Sequence, residues 1–513
     1  MIKVQISLDF DKNIEKHLFK KYPDIVDFRI ISKSLDARNA NKGRTPKYHY
    51  IIEVLKKGES FSSFSESIKE IGPFQRPPII IGAGPAGLFC ALRFVEYGIP
   101  CLLFERGDRA INRMKYIAKF WRYGEFNREN NVCFGEGGAG LFSDGKLITR
   151  VKSPFVQYVM NKFVEFGAPK ETAYISNPHL GSNKIRSLIN KISDYLLTKG
   201  CEIFYNTRID EILIEGNKIK GVQTKDGKQY LSDHIVLAVG HSAHDMYKHL
   251  NDLGVEMAQK SFAVGVRIEH QRSHMDKIQL GDFAGHELLG ASRYRVSWQN
   301  KQTNKGTYSF CMCPGGYVLS SGTERDGIVV NGMSNYSRNS PWSNSALVVS
   351  VEAGKDFMSD NVLNGLYFQR EIEKKAYNQS VAMSNGISLP AQSIKEFLEN
   401  KNNYDLKHKS SSPSKIFKGE IREILPSFIV NHLKDALEKF DHSMPGFASD
   451  DALLIAPETR TSAPITILRD KQTLESTNIK GLFPCGEGAG YAGGITSAAV
   501  DGIKIAESIV LNR

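Results

Sequence analysis

Residues 77–106 read PPIIIGAGPAGLFCALRFVEYGIPCLLFER, and this stretch constrains the fold more than any other. Ile79, Ile80 and Ile81 make the short unbroken apolar run of a strand buried on both faces. A six-residue turn, GAGPAG, follows directly. Leu88, Ala91, Leu92 and Val95 then recur at helical spacing, and residues 101–104 form a second apolar strand that ends at Glu105. Strand, glycine turn, helix and strand together are a βαβ unit with G-x-G-x-x-G at its first turn. Two parallel strands joined by a helix imply a parallel sheet with helices on its faces.

The residue types in that turn carry a chemistry. Gly82 permits a tight turn, Gly84 lets a pyrophosphate approach the backbone, and Gly87 lets the helix lie close to the strand. Pro85 and Ala86 open the helix, whose free N–H groups and partial positive charge suit phosphates. Glu105 follows Gly82 by 23 residues, where a carboxylate accepts hydrogen bonds from ribose hydroxyls, with Arg106 beside it. An acid there disfavours a 2′-phosphate, so the expected ligand is of the ADP-ribose type, as in FAD or NAD.

At 513 residues the chain is expected to form two or three units. With 41% hydrophobic and 24% charged residues its composition is that of a globular protein. No apolar run approaches the roughly 20 residues of a membrane span. The first apolar run contains charges, which argues against a signal peptide and makes a cytoplasmic location the default. Seven cysteines, an odd number scattered along the chain, argue against a disulfide framework; without a C-x-x-C pair neither a thioredoxin-like redox site nor a zinc ribbon is indicated, and no metal is expected. The net charge of +11 is spread along the chain instead of gathered in one block, so a nucleic-acid partner is not indicated by charge alone.

Residues 1–75 are expected to be a small α+β unit of ferredoxin-like type. Strands are read at 2–8, 26–34 and 48–56, and helices at 12–21 and 60–71. The three prolines of residues 72–78 mark a linker. A nucleotide-binding unit is expected over 76–260, a second, substrate-facing α+β unit over 261–440, and a return to the first over 441–513. Residues 400–415 read as a polar, mobile connection. Residues 134–150, FGEGGAGLFSDGKLITR, concentrate five glycines between 135 and 145, with Asp144 and Lys146 beside them, which implies close backbone approach to a ligand. The final segment, from 481, repeats the pattern of strand, glycine turn and helix.

These motifs together resemble the FAD-dependent oxidoreductases of glutathione-reductase-like fold, and more closely a bacterial group of uncharacterised FAD-dependent dehydrogenases. The matching stretches are IIIGAGPAGLFCAL, FGEGGAGLFSDGKL, VLAVGHSAHD, FAVGVRIEH, FCMCPGGYV, VVNGMSNYSRN, PETRTSAPI and GLFPCGEGAGYAGGITSAAVDG. The chain departs from the expected pattern at His244, where an arginine would stand. The resemblance implies a Rossmann-like FAD-binding unit, interrupted by a substrate unit and preceded by the small N-terminal one. It also implies that Gly82, Gly84, Gly87 and Glu105 hold the ADP half of FAD. Gly137, Gly138 and Gly140 would line the pyrophosphate or isoalloxazine region, and Ile209, Ala238 and Gly240 would pass near the cofactor. Gly486, Glu487, Gly494, Ile495 and Thr496 would hold the ribityl chain and the flavin's pyrimidine edge. Only one G-x-G-x-x-G stands inside a βαβ unit, so NAD(P)H would act, if at all, as a transient electron donor at the flavin face.

Catalytic candidates follow from residue chemistry. Cys311 and Cys313 flank Met312 just before a Pro-Gly-Gly turn, and either a substrate-contacting thiol or a pair of strand cysteines fits. Arg267 and Glu269 alternate onto one strand face, as an ion pair or as an anion site with a proton-handling His270. His241 follows Gly240, and Arg338 and Arg460 are candidates for a substrate carboxylate. The expected function is hydride transfer between FAD and a small organic substrate. Two alternatives stay open: a flavin-dependent RNA-modifying enzyme, motivated by the charge and the basic loop at 36–47, and a FAD-bound sensor or scaffold.

Overall fold

Ile79, Ile80 and Ile81 are buried at the centre of a five-stranded parallel sheet. Its strands, in chain order, are Ile79–Ile81, Leu102–Phe104, Glu202–Phe204, Ile235–Leu237 and Leu482–Pro484. Their spatial order is third, second, first, fourth, fifth, the doubly wound arrangement of a Rossmann-like fold. The computed structural model describes residues 2–61, 68–384, 386–401, 406 and 409–512. The helix Pro85–Glu96 covers one face and lies against the C-terminal helix Ile495–Leu511. The two approach so closely that a Cβ on Gly502 would sit 2.0 Å from the Ala86 carbonyl oxygen.

Between the fourth and fifth strands of that sheet, the chain builds a seven-stranded mixed sheet. Its order is Ser297–Gln299, Gly306–Cys313, Trp342–Val351, Phe262–Gln271, Leu453–Glu458, Leu389–Ser393 and Ile416–Lys418. The strand Phe262–Gln271 is central and buried along all but its last residue. Leu453–Glu458 pairs with it, so this unit runs past the residue 440 expected for it. The helices Asn364–Met383 and Ser427–Ser443 complete its core. The family of folds expected from the sequence is therefore the one observed: a Rossmann-like α/β sheet interrupted by a second sheet.

At the N-terminus, Ile2–Asp9, Ile25–Asp36 and Lys47–Lys56 form an antiparallel sheet with Lys47–Lys56 in the middle and the helix Ile14–Lys21 packed on it. This βαββ arrangement is the one with which a ferredoxin-like unit begins. The helix expected over 60–71 falls mainly on residues 62–67, which lie outside those described, as do 402–405 and 407–408 of the polar connection. Ser411, at the end of that connection, donates to the buried Glu269 carboxylate through both its amide and its hydroxyl. Among the described residues no helix is long and apolar enough to cross a membrane.

Candidate functional site

The carboxyl ends of the first, second and fourth strands of the parallel sheet open on a cavity of about 900 Å³. This is the point where the strand order reverses, the place at which a doubly wound sheet receives its ligand. Gly82, Gly84, Pro85 and Ala86 form one side of the cavity. Gly82 has φ +106°, and a Cβ there would lie 2.4 Å from the Ala238 carbonyl oxygen, so only glycine makes the turn. A Cβ on Gly84 would meet nothing within 4 Å, and the same is true of Gly240, Gly493 and Gly494, all on the cavity wall. Gly87 stands behind the turn: its Cβ would press 2.0 Å from the Gly82 carbonyl oxygen, and it does not reach the cavity.

Two long helices begin at this cavity, Pro85–Glu96 behind Gly84 and Ile495–Leu511 behind Gly494, and neither has a side-chain cap. Their unsatisfied N–H groups and dipoles are the positive features of the site. Room for an approaching group at Gly84, with bare helix N-termini beside it, fits a dinucleotide diphosphate.

Glu105 lines the cavity, but its carboxylate is already engaged. It accepts from the amides of Ala83 at 3.0 Å, Gly107 at 2.9 Å and Gly135 at 3.0 Å. A carboxylate has about four acceptor positions, so one remains for a ribose hydroxyl. Arg106, also on the wall, holds Asp245 with two bonds and Glu129 with one, and lies 4.0 Å over the Phe134 ring. Ile209 and Ala238 are on the wall as expected.

Of the glycine-rich segment, Gly138, Gly140, Asp144 and Lys146 reach the cavity. Gly137 does not. Its amide donates to the Ala83 carbonyl at 2.8 Å, and its Cα faces Ile189 and Leu141. The segment owes its shape to Arg113, which sequence reasoning missed. This fully buried guanidinium donates to the carbonyls of Asn131, Val132, Gly135, Glu136 and Gly138. Burial lowers its pKa to about 10. Glu136, equally buried, accepts from the Ala110 amide at the start of the helix Ala110–Tyr123 that carries Arg113.

At the C-terminal motif, Glu487, Gly494 and Ile495 line the cavity. The Glu487 carboxylate makes no hydrogen bond among the described residues, and burial raises its pKa to about 7 against the opposing pull of Lys260. Gly486 and Thr496 lie behind the wall. The Gly486 amide donates to Asp501, and the Thr496 hydroxyl is spent on the Leu147 carbonyl at 2.8 Å.

The second unit supplies a further part of the wall: Phe310, Cys311, Asn331, Glu458, Arg460 and Thr461. Cys311 sits in a bulge of the strand Gly306–Cys313 with φ +46°, a left-handed conformation that costs a non-glycine residue about 1 kcal/mol or more. The Cys311 thiol is pulled below its ordinary value, first by the neighbouring Cys313 thiol and then by Lys146 and Arg267, while Cys313 is pushed up. Cys313 is fully buried and does not reach the cavity.

Arg267 is also off the wall. Its expected partner Glu269 is replaced by Glu458, a neighbour across the sheet, held by two bonds, while Glu269 takes Ser411. His270 is corrected as well: its Nε2–H donates to the Phe447 carbonyl at 2.8 Å inside the core, because the central strand is buried on both faces. His241 does line the cavity, with burial lowering its pKa to about 4, so it stands there neutral. Arg460 and Arg338 are not open carboxylate receptors, since each is clasped by an internal carboxylate, Glu373 and Asp144 respectively. His244, the departure from the expected arginine, is buried against Glu324 at 3.0 Å.

Residues 261–461 match the family described as "FAD-dependent protein, C-terminal domain-like". An uncharacterised protein of Clostridium beijerinckii is 37% identical over 531 residues, spanning 99% of this chain and 97% of the relative. The chain belongs to a family of uncharacterised FAD-dependent proteins. FAD is the cofactor of this family, and the glycine cradle with its two helix N-termini is a donor set that fits it. Among solved structures, the flavin-dependent brominase Bmp2 is 12% identical with a TM-score of 0.38, covering 85% of this chain and 79% of its own. The L-amino acid deaminase from Proteus myxofaciens is 12% identical with a TM-score of 0.34, covering 88% of this chain and 94% of its own.

Proposed function

We propose that this FAD-dependent protein is an oxidoreductase that moves a hydride between flavin and a small organic substrate. The observation that carries the reading is that one cavity is lined both by the glycine turn of the parallel sheet and by side chains of the second sheet. An adjoining cavity of about 520 Å³ shares Phe310, Thr461 and Gly493 with it, which offers a substrate a place beside the cofactor.

Bound FAD supplies the two-electron chemistry; the chain binds, orients and shields. The backbone at Gly84 and the N-terminus of the helix Pro85–Glu96 hold the diphosphate. The remaining acceptor position of Glu105 takes a ribose hydroxyl, and the unpartnered Glu487 carboxylate takes a ribityl hydroxyl. The N-terminus at Ile495 stabilises negative charge that develops beside it. On the substrate side, neutral His241, whose Nδ1 is bonded to the Ser242 hydroxyl, and the Cys311 thiolate are the groups assigned to act on substrate, whereas the Arg460 charge is already neutralised.

An anaerobic visible spectrum of the purified protein, followed as NADH and then NADPH is added, tests the reading. Bleaching identifies a nicotinamide-fed reductase. A flavin that stays oxidised with both, and with a panel of amines, hydroxy acids and thiols, refutes hydride transfer as the function.

A further inference from the structure

Each of the seven cysteines is free; one pair lies close in space and another is separated by a single residue. Cys101 and Cys201 lie with sulfurs 3.5 Å apart, but both are buried in the hydrophobic core and away from the cavity. Cys311 and Cys313 differ in place. Cys311 is partly exposed on the cavity wall, and Cys313 is buried directly behind it with its sulfur 3.3 Å from the Cys311 carbonyl oxygen. The bulge and the left-handed backbone at Cys311 set this geometry, and three contacts hold it. Lys146 donates to the Met312 carbonyl, Arg267 donates to the Cys311 carbonyl at 3.1 Å, and Ser345 donates to the Phe310 carbonyl at 3.2 Å.

Charge follows the same asymmetry. Lys146 and Arg267 favour a thiolate at Cys311, and Cys313 keeps its proton, its S–H donating to the Cys311 carbonyl. A thiolate facing a ligand cavity, with a second thiol behind it, is the arrangement of an attacking and a resolving cysteine.

We propose that Cys311 and Cys313 form a dithiol–disulfide couple that exchanges an electron pair with FAD bound in the cavity. The inference rests on the reading of the cavity as the FAD site. In the oxidising direction the Cys311–Cys313 S–S bond forms, the Cys313 S–H bond breaks and its proton is released. Two electrons pass to the oxidised flavin, which takes up one proton. The reverse step returns a thiolate at Cys311 and a thiol at Cys313. A disulfide substrate entering beside Cys311 would be attacked by the thiolate, forming a mixed disulfide and expelling one thiolate; Cys313, losing its proton, would then close the intramolecular bond and expel the second.

The holoprotein is treated anaerobically with diamide, desalted and titrated with dithionite, and its cysteines are mapped by alkylation and mass spectrometry. The expected result is about four electrons taken up per flavin, with residues 311 and 313 protected from alkylation before reduction and both labelled after it. Cys313→Ser, with its flavin spectrum retained as a folding control, is expected to take up about two. Cys201→Ala, which removes the other close pair, is expected still to take up about four. Wild-type protein that takes up about two electrons, with Cys311 and Cys313 both labelled after diamide, overturns the couple and leaves the FAD site standing. A preparation that holds no flavin after FAD is added overturns both.

Discussion

Gly84→Ala separates binding from folding at the glycine turn. Gly84 has φ −77° and ψ −176°, an extended conformation that alanine adopts without strain, and the added Cβ meets nothing within 4 Å. The substitution is therefore expected to change the stability of the FAD-free protein by no more than about 0.5 kcal/mol. The open space is where a diphosphate approaches the helix N-terminus, and a methyl group there pushes it out of hydrogen-bond reach. Losing about two charge-assisted hydrogen bonds costs about 3–6 kcal/mol. That corresponds to FAD binding weakened by about 10²- to 10⁴-fold. The assay is a titration of FAD-stripped protein followed by flavin fluorescence, beside a denaturant melt of the same sample. Gly87→Ala is the contrasting case: its Cβ would lie 2.0 Å from the Gly82 carbonyl oxygen and 3.1 Å from Ile80, so backbone must shift. It is expected to cost about 1–3 kcal/mol of stability even without FAD. An alanine at 84 that leaves FAD affinity unchanged would refute the placement of the diphosphate.

Arg113→Lys keeps the charge but cannot reach the five carbonyls that the guanidinium holds, and is expected to cost about 3 kcal/mol or more in a urea melt. Asp144→Asn breaks the buried pair with Arg338 that ties the glycine-rich segment to the second unit, and about 3–5 kcal/mol of stability is expected to go with it. Glu487 binds its proton more tightly folded than unfolded, so its contribution to stability is complete below about pH 4 and is lost as pH rises through about 7. FAD-free wild-type protein should thus show a midpoint that falls between pH 5 and 8, with a smaller fall in Glu487→Gln; equal slopes would reject the shifted carboxyl.

The parallel sheet was legible because its evidence is local. Ile79, Ile80 and Ile81 are contiguous, and the turn that follows them announces itself in six residues. The strand Trp342–Val351, central to the second sheet, was not found, because Ser343, Asn344 and Ser345 interrupt its apolar run. Those polar groups are buried and bonded at a distance: Ser343 accepts from the Gly315 amide, Asn344 Oδ1 accepts from Arg267, and Ser345 donates to the Phe310 carbonyl. The helix Ala110–Tyr123 has no cap of its own, and its first amide is held by Glu136, 26 residues further on. The same distance dependence decided the site residues. Glycines at 82, 84, 138, 140 and 494 reach the cavity as their motifs implied, whereas Gly87, Gly137, Gly486 and Thr496 serve packing or cross-bonds behind it. Arg267 and His270 looked chemically able in sequence, but the central position of their strand removes them from the ligand.

The charges around the cavity leave its backbone as the source of free positive potential, although the chain as a whole is basic. Arg460 is neutralised by Glu373, Arg338 by Asp144, Arg267 by Glu458, and Arg106 by Asp245 and Glu129. Each buried guanidinium thus costs less than it would alone, and none of the four presents a free cation to a diphosphate. The positive potential that remains at the glycine turn comes from helix N-termini, whose donors are fixed before the ligand arrives and lose no side-chain entropy on binding it. On the other side, Lys146 shares its charge between the Met312 carbonyl, Asp144 and the region of Cys311. The cavity is therefore divided: a glycine turn flanked by two helix N-termini on one side, and a wall from the second unit that carries Cys311 on the other.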